Sequence, residues 1–395
     1  MKILFLINRY DINDGASRAL YNIIKNNPEL SQYKILCKIK WKVQDGLNIE
    51  VINSGKDIIK EYLLGHYDLI HNFKAGGFDI FYWLQKEIKH RKLNIPILTT
   101  VCQRPSFKKM LLSPAEIQYS TILVFIDKAA FNDKLITFIP QSRKEFNYFG
   151  TTNDLIELTD RISKSYKPSS EVIYGRGSTQ SKCPHNMIDI YDAIELKQKK
   201  FVIAGCDKGD TWLHKYVNGR KDVILYGQLP FNEWLELCAT FDIFLYQIPL
   251  DSHSSIDGVL SQAMLLRKPV VYYGSEAPKE RFIHGYNGYI ANNYKEIVYY
   301  AQLLGNDKEL RKQIGDNARK STIEQFSIMK TVSNYNILYN KINSIDISNY
   351  KPVHIPLYYI YYYYWNNRKE VIKLPLKGSF IEKIYRRFKP LRPNY

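Results

Sequence analysis

The sequence predicts an α/β protein made of two doubly wound, Rossmann-like domains that face each other across a cleft. The chain of 395 residues is too long for one ordinary core. Short apolar runs alternate with segments of helical periodicity, as buried parallel strands alternate with crossover helices. This alternation stops at a polar stretch and then starts again, which indicates two such units in series.

The first domain is expected over residues 1–150. Its predicted strands are "KILFLI", "YDLIHNF", "IPILTTV", "STILVFID" and "KLITFIP", and its predicted helices are "ASRALYNIIKNN" and "FDIFYWLQKEIKH". Residues 160–170, "DRISKSYKPSS", are polar and contain the turn-forming Pro-Ser-Ser, so they are expected to be a linker.

The second domain is expected over residues 165–335, with strands in "EVIYG", "KKFVIAG", "DVILYG", "DIFLYQI" and "PVVYYG". The helices predicted between them are "NMIDIYDAIEL", "FNEWLELCATF" and "SQAMLLR". Residues 336–395 differ in character and form a third segment. It contains the aromatic run "PLYYIYYYYWNN" and the basic amphipathic helix "GSFIEKIYRRFK".

The composition limits the classes of protein to which this chain can belong. No apolar run approaches the roughly eighteen residues that span a bilayer, and "MKILFLINRYD" is typical of a first buried strand rather than a signal peptide. The five cysteines are odd in number and scattered, which argues against a disulfide framework or a zinc cluster. We therefore expect the protein to work in a reducing compartment, the cytoplasm.

The formal net charge of +17 admits three kinds of partner: nucleic acid, an anionic membrane or a phosphorylated small molecule. Residues 366–395 contain nine Lys/Arg and two Asp/Glu, a net charge of +7. The basic helix there either lies on an anionic membrane as a peripheral anchor or is an ordinary solvated helix, and the sequence leaves both open. Nucleic acid is the least favoured partner because no known nucleic-acid motif is present.

A strand–loop–helix unit opens the second domain and carries the main chemical signal. Gly175 and Arg176 end the strand, and Lys182 follows shortly before the next helix. Arginine can bind a phosphate through two parallel hydrogen bonds, lysine adds a point charge, and a helix N-terminus also favours anions. This arrangement predicts an anionic ligand at the carboxyl end of the strand.

Residues 171–317 resemble the nucleotide-binding half of family 4 retaining glycosyltransferases, which have the GT-B fold. "GR" with a lysine six residues later, "FVIAGCDKGD", "DVILYGQLPFNEWLELCATFDIFLYQIP" and "SQAMLLRKPVVYYG" match its motifs in order and spacing. "RYDINDGASRALYNI" matches the glycine loop of the family's first domain more weakly.

The resemblance implies transfer of a hexosyl or related sugar, with retention, from a nucleotide-diphosphate donor to a glycan or lipid-linked acceptor. Arg176 and Lys182 would neutralise the departing diphosphate. The positions implied in donor binding are Gly15, Gly175, Asp207, Asp257, Gly258 and Gln262. It also implies that the last helices cross back onto the first domain. No cofactor is implied and no metal is expected, because the two cations take its role and the sequence contains no Asp-x-Asp pair.

Both glutamates of the family's signature are replaced in this sequence. Ser254 stands at the first position, beside the transferred sugar, and is the implied catalytic residue there; Gln262 stands at the second, beside the ribose. Asp251, His253 and Asp257 are near enough in sequence to substitute for the first carboxylate. A catalytically impaired relative that binds nucleotide-sugar or glycan is therefore an alternative.

The acceptor side is implied in the first domain. Cys102 stands where the family has a histidine, and a buried cysteine after a strand is more often a packing residue than a catalytic thiol. Gln103 and Arg104 adjoin it, and His71 ends another strand. These four residues are the acceptor-side candidates.

Overall fold

A computed structural model describes residues 1–12, 14–42, 46–75, 79–102, 112–166, 170–177, 182–206, 211–250, 252, 257–347 and 352–366. The strands are β1 (Lys2–Tyr10), β2 (Gln32–Lys40), β3 (Ile49–Val51), β4 (Leu69–Lys74), β5 (Ile97–Val101), β6 (Ile122–Phe125), β7 (Lys144–Phe146), β8 (Val172–Gly177), β9 (Lys199–Ala204), β10 (Val223–Leu225), β11 (Ile243–Gln247), β12 (Val270–Tyr273) and β13 (Tyr289–Ile290).

The helices alternate with these strands along the chain. They are α1 (Gly15–Lys25), α2 (Gly55–Leu64), α3 (Asp79–Arg91), α4 (Pro114–Tyr119), α5 (Lys128–Phe131), α6 (Asn153–Ser165), α7 (Met187–Asp192), α8 (Thr211–Val217), α9 (Phe231–Ala239), α10 (Gly258–Leu265), α11 (Glu276–Lys279), α12 (Tyr294–Asn306), α13 (Lys308–Gln325), α14 (Ile328–Asn343) and α15 (Leu357–Asn366).

Two parallel sheets organise the described residues. The first has seven strands in the order β3-β2-β1-β4-β5-β6-β7, and the second has six in the order β10-β9-β8-β11-β12-β13. Every strand pair is parallel, so the loops that leave the carboxyl ends of the strands lie along one edge of each sheet. The prediction of two Rossmann-like α/β units is confirmed.

The end of the chain returns to the first sheet. Along α14, residues Val332, Tyr335 and Tyr339 are buried in one cluster with β1 and β4. In the aromatic run, Tyr359 and Tyr363 of α15 are buried against residues that follow β5, and the Tyr359 hydroxyl donates to the Leu112 carbonyl at 2.9 Å. The predicted crossover is therefore present, and it begins at α14, before the expected boundary at residue 336.

The two units also meet directly. Glu280, which follows α11 in the second unit, accepts hydrogen bonds from the backbone N–H groups of Lys128 and Ala129 at 2.9 and 2.7 Å. These groups open α5 of the first unit, where a carboxylate is favoured by the unpaired N–H groups. The Tyr148 hydroxyl donates to the same carboxylate at 2.9 Å.

Two predictions about local structure are wrong. "KLITFIP" is not a strand: the Asp133 side chain accepts from the Leu135 N–H at 2.9 Å and starts a 3₁₀ turn over Lys134–Ile136. Leu135, Ile136 and Ile139 are buried, although none of them lies in a strand. The predicted start of the polar linker, residue 160, is too early. Helix α6 continues to Ser165, with Thr159 buried on its inner face.

Within the described part of the chain, no helix is long and apolar enough to cross a membrane. No cluster of three or more His, Cys, Asp or Glu side chains suited to a metal ion lies among the same residues.

Candidate functional site

The carboxyl end of β8 is the starting point of the site. A Cβ atom on Gly175 would lie 1.9 Å from the Phe241 ring, and one on Gly177 would lie 2.1 Å from the Trp234 ring. Both distances are far inside van der Waals contact. Packing of β8 against these two aromatic side chains therefore requires glycine on either side of Arg176, independently of any ligand.

Arg176 is completely buried at this strand end. Its Nη2 group donates to the Lys182 carbonyl at 2.7 Å, and its guanidinium carbon lies 5.7 Å from the centre of the Tyr246 ring. Nε and Nη1 have no hydrogen-bond partner among the described residues. A buried cation with two unmatched donors is costly unless an anion accepts from it, so this geometry suits an anionic ligand.

Lys182 is held by a carboxylate from across the site. Its Nζ atom pairs with one oxygen of Asp257, and the other oxygen accepts a hydrogen bond from the Tyr246 hydroxyl. Burial, reinforced by the neighbouring Asp257 charge, raises the pKa of Tyr246 well above its usual value, so the phenol stays protonated and can donate. The predicted donor-site residues Arg176, Lys182 and Asp257 thus lie together.

Gln262 lies beside this group on α10. Its Oε1 atom accepts a hydrogen bond from Trp234 Nε1 at 2.7 Å, and its Nε2 atom lies 3.6 Å from the position that a Gly258 Cβ would occupy. The indole takes one of the two acceptor positions of the carbonyl oxygen, whereas both N–H groups of the NH₂ remain to bind a ligand. Donation to a hydroxyl oxygen is what such a group can do.

Gln247, at the end of β11, is a residue of this edge that the sequence analysis missed. It is 1% exposed, and neither its amide oxygen nor its amide nitrogen has a partner in the described part of the structure. β11 pairs with β8, so Gln247 lies near the strand end that carries Arg176. A glutamine in the last position of an otherwise apolar strand is the signal that could have found it.

The start of α1 lies where the first unit contacts the second. Asp14 caps this helix by accepting from the Ala16 and Ser17 N–H groups. Apart from the neighbouring residues of its own helix, no described atom lies within 4 Å of the position of a Cβ on Gly15. One turn later, the Arg18 guanidinium carbon lies 4.4 Å from the centre of the Phe231 ring in the second unit. Gly15 therefore stands in open space near the junction of the units, as a backbone position open to a ligand would.

His71 has its contacts inside the first unit. It is completely buried, and its ring nitrogens lie 2.8 Å from the Tyr339 and Thr100 hydroxyl groups. Burial lowers its pKa well below the usual value, so the ring is neutral. This geometry favours a role in fastening α14 to the sheet over the expected role in lining an acceptor cleft, because no ring atom is left to reach a ligand.

Cys102 is also buried, with an exposed fraction of 7%. Burial, and then the nearby Asp14 carboxylate, raise the pKa of its thiol far above the usual value. A thiol that stays protonated is a poor nucleophile. These features favour a packing role for Cys102, which lies in the same buried cluster as Ala16 of α1.

Several predicted residues lie outside the described residues. They are Ser254 and Asp207 of the donor side, Gln103 and Arg104 of the acceptor side, and Asp251 and His253, the further substitutes for the signature carboxylate. The basic amphipathic helix within residues 367–395 lies outside them too.

The chain resembles known proteins over most of its length. Alr3699/HepE of Anabaena, solved in complex with UDP, superimposes with a TM-score of 0.69 at 16% identity, over 86% of this chain and 100% of that one. Sucrose-phosphate synthase of Thermosynechococcus elongatus gives 0.66 at 11% identity, over 87% and 99%. The chain has the GT-B fold. At these identities the likeness concerns the fold alone.

Sequence comparison adds a family match to one part of this GT-B chain. Residues 157–321 match the family model of glycosyl transferases group 1, and this region contains Arg176, Lys182 and Gln262. An uncharacterized glycosyltransferase of Methanocaldococcus jannaschii is 26% identical over 235 residues. That alignment spans 56% of this chain and 58% of the relative.

Proposed function

We propose that this protein is a retaining glycosyltransferase that moves a sugar from a nucleotide-diphosphate donor to a glycan or lipid-linked acceptor. The observation that carries the proposal is the buried guanidinium of Arg176, whose Nε and Nη1 groups lack acceptors among the described residues at a strand end of the second unit. Ligands of open α/β sheets bind at this edge. A diphosphate would supply the acceptors and the opposite charge.

In the proposed reaction, the bond between the anomeric carbon and the diphosphate oxygen breaks, and its electron pair leaves with the diphosphate. The acceptor hydroxyl forms the new bond on the same face of the sugar and gives its proton to the departing phosphate oxygen. Arg176 and Lys182 stabilise the negative charge that develops there. A protein base is not required in this scheme, so it is compatible with Ser254 and Gln262 at the signature positions.

Lys182 must change partner to take part. Its Nζ atom is paired with Asp257, so a diphosphate competes with this carboxylate for the ammonium group. The Tyr246 hydroxyl, which donates to the same carboxylate, can retain Asp257 when Lys182 turns to the ligand. Gln262 would donate from its NH₂ group to a ribose hydroxyl, while Trp234 keeps donating to its oxygen.

The likeness to known proteins supports the choice of donor. HepE has been solved with UDP and with UDP-glucose, and uridine diphosphate sugars are therefore the first candidates to test. We also propose that the two cations make a metal unnecessary and that the protein works in the cytoplasm. The basic tail would hold it on an anionic membrane, which flotation of the full chain against one ending at residue 366 would test.

The test is a thermal-shift screen of the full chain against UDP-, GDP- and ADP-sugars, followed by assays of sugar release and transfer. A ligand that binds the folded state alone raises its apparent stability. We expect one nucleotide class to raise the melting temperature and its sugar to be released or transferred by the wild type. Arg176→Met is expected to lower that rate by about 10²–10³-fold.

A second candidate function is a binding protein with the same fold and no turnover. The pairing of Lys182 with Asp257 favours it, because the carboxylate weakens the positive field at the diphosphate. Gln262 favours it too, because a neutral amide accepts a hydrogen bond from a ribose hydroxyl less strongly than a carboxylate does. Donor binding without sugar release from any donor or transfer to any glycan would establish this alternative. If none of the UDP-, GDP- and ADP-sugars binds, both candidate functions are contradicted.

A further inference from the structure

A cationic aromatic surface lies at the carboxyl ends of β1 and β2 in the first unit. Trp41 follows β2 and is 63% exposed, and the side chains of Arg9, Lys40 and Lys42 around it are exposed as well. The backbone N–H of Trp41 donates to the Tyr10 carbonyl at 3.0 Å, which places this residue beside the end of β1. The Arg9 guanidinium carbon lies 5.0 Å from the centre of the indole ring.

Among the described residues, no ion pair compensates the charges of Arg9, Lys40 and Lys42. In the described structure, no carboxylate lies within ion-pair distance of Arg9, Lys40 or Lys42. Lys34, on the same strand β2, shows the contrast: it pairs with Glu50 at 2.6 Å and with Glu61 at 2.8 Å. Positive charge therefore accumulates around one exposed indole at the carboxyl edge of the sheet.

Backbone contacts connect this surface to the junction of the two units. The Ile12 N–H donates to the Lys42 carbonyl at 3.0 Å, and Arg18 Nε donates to the Ile12 carbonyl at 3.4 Å. The guanidinium of Arg18 in turn lies against Phe231 of the second unit. The surface thus flanks the region where a sugar leaving the second unit would meet its acceptor.

We propose that Arg9, Lys40, Trp41 and Lys42 bind an acidic saccharide, one that carries carboxylate or phosphate groups, as the acceptor of the proposed transfer. This inference rests on the proposed function. An indole face packs well on the apolar C–H face of a sugar ring, and cations beside it select rings with negative charge. The exposed tryptophan accounts for the choice of a saccharide. The three cations, which have no ion-pair partner among the described residues, account for the choice of an acidic one.

The expected affinity is modest and salt-dependent. Each exposed ion pair contributes little by itself, so binding depends on the three cations acting together with the indole. Because exposed charges are screened within about 8–10 Å at physiological salt, affinity should fall as salt rises.

The experiment is calorimetric titration of the full chain with tetragalacturonate and with maltotetraose, a neutral saccharide of equal length, at low and physiological salt. We expect tetragalacturonate to bind at least tenfold more tightly, and Trp41→Ala to weaken it at least tenfold. The triple variant Arg9→Gln, Lys40→Gln, Lys42→Gln should remove the preference. Its matched control, Lys56→Gln, Lys60→Gln, Lys89→Gln, changes the net charge equally on exposed positions of α2 and α3.

The outcomes separate this inference from the proposed function. Nucleotide binding, measured by thermal shift, should be the same in all these variants and checks that each is folded; its absence in the wild type would count against the proposed function. Equal affinity for both saccharides would overturn the proposed acidic-saccharide site. An equal loss of affinity for tetragalacturonate in the surface triple variant and in its control would also overturn it. So would binding to phosphatidylglycerol vesicles that needs the same residues while tetragalacturonate does not bind.

Discussion

Lys182 donates to a carboxylate oxygen of Asp257, which comes from a loop 75 residues later in the chain. A diphosphate bound by Arg176 and Lys182 would lie close to this negative charge. The pair therefore determines how strongly the site attracts an anionic donor, and it is the natural place to measure the electrostatics of the site.

Asp257→Asn should strengthen binding of the nucleoside diphosphate by about tenfold, which corresponds to about 1.4 kcal/mol. The substitution removes a like charge beside the ligand and releases Lys182, while the amide oxygen can still accept from Tyr246. Titration calorimetry measures the change. Glu309→Gln, which removes one exposed negative charge at the start of α13, is the control and should leave affinity unaltered. Weaker binding by Asp257→Asn would instead make Asp257 a direct ligand of the donor.

Gly175 and Gly15 should respond differently to alanine. At Gly175 the added methyl group meets the Phe241 ring, and overpacking of this kind costs about 1–3 kcal/mol. At Gly15 it meets open space in the first turn of a helix, so thermal stability should be retained. Melting temperatures of the two variants test this. If Gly15 faces the donor, Gly15→Ala should also weaken nucleotide binding; unchanged binding removes it from the donor site.

Gln247→Leu should raise stability and reduce donor binding together. Its buried amide has no partner within the described residues, and replacement by an apolar side chain of similar size removes an unsatisfied polar group. If the amide binds the donor, affinity for the nucleotide-sugar should fall by about tenfold, which is the scale of one hydrogen bond. A variant that is more stable and binds the donor as tightly as the wild type would make Gln247 structural.

His71 should make the first unit sensitive to mild acid. Burial holds its pKa well below the value of about 6.5 that it has in the unfolded chain, so below pH 6.5 the unfolded state takes up the proton and the folded state does not. The stabilisation is complete above pH 6.5 and is lost as pH falls, by about 1.4 kcal/mol at pH 5.5.

The test compares urea unfolding at pH 7.5 and 5.5 for the wild type, His71→Gln and Tyr339→Phe. The glutamine variant should lose this part of the pH dependence, while the phenylalanine variant, which keeps the imidazole, should retain it. An equal pH dependence in the wild type and His71→Gln would show that another group is responsible.

The sequence predicted the parts of the site that depend on local pattern. Gly175 and Arg176 end an apolar run, and strand ends can be recognised from such a run and the glycine after it. The two Rossmann-like domains followed from two alternating series, and the GT-B fold from the family resemblance. The segment "KLITFIP" failed because burial of an apolar run does not distinguish a strand from a turn, and the Asp133 side chain decides in favour of the turn.

Long-range pairs could not be predicted in this way. The contacts of Lys182 with Asp257 and of Trp234 with Gln262 join residues from different β-α units, and no spacing rule connects them. His71 shows how such a long-range contact can mislead a prediction from local pattern. Its place at a strand end suggested the acceptor cleft, whereas Tyr339 from α14 covers it, and that helix returns from the far end of the chain.

The central claim is that Arg176 binds the diphosphate of the donor. The test is to titrate UDP, GDP and ADP, and separately uridine, guanosine and adenosine, into the wild type and Arg176→Met. The difference in affinity between a nucleoside diphosphate and its nucleoside measures what the diphosphate contributes to binding. We predict that one nucleoside diphosphate binds the wild type at least a hundredfold more tightly than its nucleoside, and that Arg176→Met removes most of this difference without loss of thermal stability. The same preference for diphosphate in wild type and variant would contradict the account.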